Sequence, residues 1–124
     1  MIVRNGGLQR PKLREVRVSE RAKEILQDNR YQIASAYVEK AVIDLKSRRG
    51  INLLKKQEAY ITRNYKPRHF RGQASRKTDL RCRLHLHRPL SEEARMYVEV
   101  MSDKYDLSYN SFIDFCIKSE GGDI

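Results

Sequence analysis

The sequence predicts a mainly helical protein with a two-stranded antiparallel β-ribbon, built from two strand–helix–helix units that share one core. Three observations predict it: strict alternation over residues 80–87, two capped apolar helix patterns after it, and a weaker copy of the same order in the first third of the chain. At 124 residues the chain has room for one modest core, or for two small units that share one.

The alternation is clearest in "LRCRLHLH". Cys82, Leu84 and Leu86 fall on one face and Arg81, Arg83, His85 and His87 on the other, the period of a half-buried strand. Pro89 stops it, because proline cannot donate to a ladder. Ser91 then serves as an N-cap, and Glu92 and Glu93 suit the positive end of a helix dipole. Leu90, Ala94, Tyr97, Val98, Met101 and Tyr105 recur at helical spacing, which predicts a helix over 91–105. In "YDLSYNSFIDFCIKSEGG" Ser108 caps again and Leu107 is placed to staple onto Phe112. Phe112, Ile113, Cys116 and Ile117 make an apolar face that runs to Gly121 and Gly122, predicting a second helix over 109–119.

The first third repeats this order. In "LREVRVSERAKEIL", Val16 and Val18 share one face of a short strand and Glu15 and Arg17 the other; Ser19 caps a helix carrying Ala22, Ile25 and Leu26. "SAYVEKAVIDL" then lies over "NSFIDFCI", with Ala36 on Ser111, Tyr37 on Phe112, Val38 on Ile113, Ala41 on Cys116 and Val42 on Ile117. The break "QDNR" before it holds neither Gly nor Pro, so one continuous helix over 20–48 is the alternative. A single short strand is unstable, whereas two paired over a shared layer of helices are not, so the first strand is expected to pair with the second. The resulting division is an N-terminal arm (1–12), a first unit (13–48), a basic linker (49–78), a second unit (79–120) and a tail (121–124). Within the linker, Gly50 stops a helix, Ile51 to Ile61 can form a short one, and Pro67 to Lys77 reads as mobile.

The formal net charge is +10, and its placement is informative. Residues 49–88 hold twelve Lys and Arg against Glu58 and Asp79, which leaves fourteen of each sign elsewhere. The whole excess therefore sits in the central third and points to a polyanionic partner, nucleic acid ahead of a membrane surface. No run approaches the roughly 18 apolar residues that cross a bilayer, and the first residues lack the apolar centre of a signal peptide, so a soluble, unsecreted protein is expected.

Cys82 and Cys116 lie in apolar patterns and are expected to be buried free thiols. For His85 and His87 a metal site would need further ligands, and only His69, the two cysteines and scattered acids are available; no metal or cofactor is expected. Catalysis by a His-containing strand would need a second such motif and a cleft, so an enzyme is not expected. Tyr37, Tyr97 and Tyr105 fit helical core faces, while Tyr60 and Tyr65, amid Lys and Arg, are candidates for stacking on bases. A two-stranded ribbon fits the major groove of duplex DNA, where its outward side chains would meet base edges. Those side chains are Arg81, Arg83, His85 and His87, joined by Arg17 and Glu15.

"RLHLHRPLSEEARMYVEVMSDKYDLSYNSFIDFCIKS" resembles the ribbon-helix-helix (MetJ/Arc/CopG) DNA-binding family in its alternating strand, Ser-Glu-Glu helix start and Leu-Ser-x-x-Ser-aromatic-Ile second helix. The resemblance implies that Arg83, His85 and His87 read bases, and that the second helix holds a phosphate at Ser108, Tyr109 and Asn110 through backbone N–H groups. The matching places in the first unit are Arg17 for bases and Ala34 and Ser35 for the backbone; Arg76, Lys77 and Arg88 are expected on flanking phosphates. There are two departures: Asp106 stands where the family usually has Gly, and the acid Glu15 lies on the groove side, where it either accepts from a cytosine amino group or weakens reading by this half.

Most members of the family are homodimers, so two units in one chain imply a monomeric pseudo-dimer. The layout is similar to the TraY relaxosome proteins and to an overdrive-binding virulence protein of T-DNA transfer. It implies a non-enzymatic, cytoplasmic bacterial protein that binds double-stranded DNA and assists a relaxase or other DNA-transfer proteins. A plasmid or phage autorepressor or antitoxin of the same fold is the alternative, and an RNA or single-strand chaperone is a third reading.

Overall fold

A computed structural model of the chain describes residues 15–29, 33–49, 57–68 and 77–124. In chain order these form strand β1 (Glu15–Val18), helices α1 (Glu20–Asp28) and α2 (Ala34–Asp44), and a π-helical turn (Leu45–Arg49) that prolongs α2. The short helix α3 (Glu58–Asn64), strand β2 (Cys82–His85), and helices α4 (Glu92–Lys104) and α5 (Tyr109–Glu120) follow. The protein is therefore mainly helical, and β1 pairs with β2 in a two-stranded antiparallel sheet, as the shared-core expectation required.

The helix starts follow from local chemistry. Ser19, Ser91 and Ser108 each accept a hydrogen bond from the N–H three residues on, taking one of the donors a helix start leaves without an internal partner. The two helices of the first half are separate, which excludes the continuous helix over 20–48. Asn29 ends α1 without glycine: its backbone N–H is shared between the Ile25 and Leu26 carbonyls, both at 3.2 Å, and its side-chain amide is a second donor to Ile25 at 2.8 Å. At the α4–α5 turn Asp106 takes a left-handed φ of 54°. Leu107 N–H reaches back to the Ser102 carbonyl at 2.8 Å and Asp106 N–H to that of Asp103 at 3.3 Å. This is the helix-ending pattern that glycine usually supplies, here formed by an aspartate.

The core is one cluster to which both halves contribute. Val16 and Val18 point into it from β1; on the β2 side Leu86 is fully buried, while Leu84 and Cys82 are half-buried. Cys82 is thus a partly accessible thiol rather than the buried one expected, because it lies at the end of the ribbon; Cys116, at the centre of α5, has no exposed surface. Helix α5 is the axis of the fold. Every residue from Ser111 to Lys118 is buried, since β1, α1, α2, α4 and the π-helical turn pack around it. The overlaid residues Tyr37, Val38, Ala41 and Val42 of α2 are buried like their counterparts in α5, but Ala36 is exposed where Ser111 is not.

Several expectations are corrected. The second strand is Cys82–His85, so Arg81 precedes it and His87 lies in a bend beyond it. Tyr65 is 2 % exposed and cannot stack on a base. Tyr60 is half-buried, its ring 6.3 Å from that of Tyr65 and 6.4 Å from that of Phe115, so the pair covers α5 instead. Of the helix expected over 51–61, residues 58–61 are helical, in α3, which runs on to Asn64; residues 51–56 lie outside the described part. Also outside it are the arm 1–12, Leu13 and Arg14 of the expected strand, His69, Arg76 and most of the segment read as a mobile linker. The described ends of that segment are held: Arg68 N–H donates to the Asp106 carbonyl at 2.6 Å and Thr78 N–H to that of Asn64 at 2.7 Å.

Candidate nucleic-acid interface

Alternation along the ribbon turns Val16 and Val18 inward, and so turns Glu15 and Arg17 outward beside Arg83 and His85; all four outward residues are exposed. The register sets Arg17 directly opposite Arg83, and Glu15 opposite His85. The Glu15 carboxylate reaches diagonally across the ribbon to within 3.9 Å of Arg83 Nε. Two guanidinium groups directly opposed on a strand pair cost stability unless an anion lies between or above them.

The remaining predicted base contacts differ from these four. Arg81 is paired with Asp79 through Nε at 2.7 Å and through a second guanidinium nitrogen, and this carboxylate raises its already high pKa. Its charge is partly spent within the chain. His87 is exposed in the bend.

Among the predicted phosphate contacts, Ser108 Oγ accepts from Ser111 N–H at 3.1 Å and donates to Ser111 Oγ at 3.0 Å. Asn110 Oδ1 accepts from the Arg17 N–H at 3.2 Å, tying the first turn of α5 to β1. The N–H groups of Tyr109 and Asn110 come before the first internal helix bond, in the turn that Asn110 ties to β1. At the start of α2, Ala34 is half-buried and Ser35 is 5 % exposed, its hydroxyl without a hydrogen-bond partner among the described residues. The N-cap there is Ile33, which supplies no side-chain bond. Arg88, from the other half of the chain, lines the same groove of about 330 Å³. Lys77 Nζ donates to the Thr62 carbonyl at 2.5 Å and to that of Arg63 at 3.3 Å, at the exposed C-terminal end of α3.

Two carboxylates that position the ribbon were not singled out in the sequence. Asp114, with no exposed surface, accepts from Ser19 N–H and Ser19 Oγ, both at 2.8 Å, and from Tyr65 OH at 2.6 Å, with Lys118 Nζ at 3.1 Å. Glu39 falls over Asp114 when the two second helices are overlaid, and it accepts from Ser91 N–H at 2.9 Å and Ser91 Oγ at 2.6 Å. Each second helix thus grips the serine that starts the first helix of the other half. The signal that could have found them is an acid at the same place in both overlaid segments, directly after Val38 and after Ile113.

Among the described residues no three His, Cys, Asp or Glu side chains form a metal-holding group, and no helix is long and apolar enough to cross a membrane. No family model, curated protein or solved structure matches the chain.

Proposed function

We propose that the chain is a sequence-specific double-stranded DNA-binding protein, a single-chain pseudo-dimer of two ribbon-helix-helix units that lays β1 and β2 in the major groove. The observation that carries the reading is the exposed Arg17 directly opposite Arg83: two guanidinium groups on the outward face of the ribbon, with one carboxylate, Glu15, beside them, offer donors to guanine edges or phosphates. His85 extends the reading face, with His87 at its margin. The start of α5, beside β1, holds one phosphate through backbone N–H groups, and the start of α2 with Arg88 holds another.

The reading is of a binding protein without catalysis, working in the bacterial cytoplasm. Its tandem layout supports a role in conjugation-type DNA transfer, in which it marks duplex near a nicking site and assists a relaxase. The same ribbon would serve an autorepressor; cutting at the origin or border sequence that rises when the protein is added separates the two roles.

The ribbon itself is tested by selecting a preferred duplex from a randomised pool and comparing it with a scrambled duplex of equal length. Arg83→Ala is expected to weaken the preferred site by about 1–3 kcal/mol and the scrambled one by much less. Equal losses reduce Arg83 to a phosphate contact, and tighter binding to single strands of the same sequence overturns the duplex reading.

A further inference from the structure

We infer that Glu15 and Arg83 act together as one reader of a G·C base pair, with the Glu15 carboxylate rejecting DNA that is held through its backbone alone. The inference rests on the proposed duplex reading and concerns the choice between sequences.

Glu15 belongs to β1 and Arg83 to β2, yet the antiparallel register brings them diagonally together at 3.9 Å, with side chains 55 % and 63 % exposed. Glu15 is therefore coupled to the second half's principal base contact and is more than a blemish on the first strand. Among the described residues Arg83 is the cation within ion-pair reach of Glu15.

Phosphates repel an acid on this face at every sequence, and the repulsion grows as water is displaced. Base edges differ from phosphates in offering donors. The cytosine amino group donates to a carboxylate, and guanine O6 and N7 accept from an arginine fork. One G·C pair presents both edges side by side, so the two residues, already adjacent, are satisfied together. An A·T pair satisfies Glu15 through the adenine amino group but offers Arg83 only adenine N7 and thymine O4, on opposite bases. Arg17, opposite Arg83, remains free to take a neighbouring guanine or a phosphate. The carboxylate thus costs affinity on non-cognate DNA and returns part of that cost at the cognate pair.

The test uses the full chain and its Glu15→Gln and Glu15→Ala variants, on the selected duplex and a scrambled duplex at one salt concentration. The exposed position leaves the fold intact, as circular dichroism checks. Both variants are expected to bind the scrambled duplex about threefold to tenfold tighter, as removal of one like charge from a polyanion interface implies. On the selected duplex they gain nothing or weaken, so the ratio of the two affinities falls about tenfold. A repeat selection with Glu15→Ala then recovers sites degenerate at one G·C position. Equal gains on both duplexes, with an unchanged selected site, overturn the inference. Failure of the duplex reading appears separately, as a wild-type chain with no preference for duplex, whatever stands at position 15.

Discussion

Asp114 is a carboxylate placed where a charge is expensive. Moving an ion into an apolar interior costs several kcal/mol, and four neighbouring donor groups, from Ser19, Tyr65 and Lys118, offset it. The same burial acts on its neighbours. Desolvation first, then the Asp114 charge, pushes the Tyr65 phenol well above its ordinary value of 10.0; burial raises Tyr97 to about 12 and raises the Cys116 thiol. The folded chain holds these protons more tightly than the unfolded one, so their contribution to stability is complete below the ordinary phenol and thiol range and is lost as pH rises beyond it. Urea unfolding between pH 7 and 11 is expected to show stability falling above about pH 9–10. Tyr65→Phe, which removes the hydrogen bond to Asp114, is expected to cost about 1.5–3 kcal/mol at neutral pH and to make the alkaline fall shallower. An unchanged alkaline slope in that variant would place the effect elsewhere.

At the scale of elements, the helix starts differ in quality. Serine caps begin α1, α4 and α5, while α2 begins at Ile33, which is 56 % exposed and caps nothing. Ile33→Ser is expected to stabilise the protein by about 0.5–1 kcal/mol, read as a higher urea midpoint with an unchanged slope. A midpoint that does not rise would mean the start of α2 is already satisfied by its surroundings. Strands show what periodicity can and cannot report. The alternation over 80–87 correctly marks Leu86 as inward, with no exposed surface, but β2 ends at His85. Facing is a property of one segment, whereas strand length depends on where a partner's ladder stops; among the described residues that is at Glu15. Tyr65 misleads for a similar reason. Its basic neighbours in sequence predict a wet surface, but the chain folds back so that its hydroxyl meets the buried Asp114.

For the whole molecule, neither half supplies a complete structure. The ribbon takes one strand from each, and Ser19 to Asp114, Ser91 to Glu39 and Arg17 to Asn110 cross between them. Fragments 1–49 and 50–124, prepared separately, are expected to lack native helical circular dichroism and to regain it on mixing. A fragment that folds independently would refute the dependence of each half on the other. Strand facing, serine caps and the apolar faces of α2 and α5 were legible in the sequence, because they depend on residues two to four positions apart. Serine-to-carboxylate grips, the burial of Tyr65, and the Arg17–Arg83 and Glu15–Arg83 juxtapositions were decided only by the tertiary structure. They join residues tens of positions apart, and the antiparallel register and packing around α5 bring them together in a way no local pattern encodes.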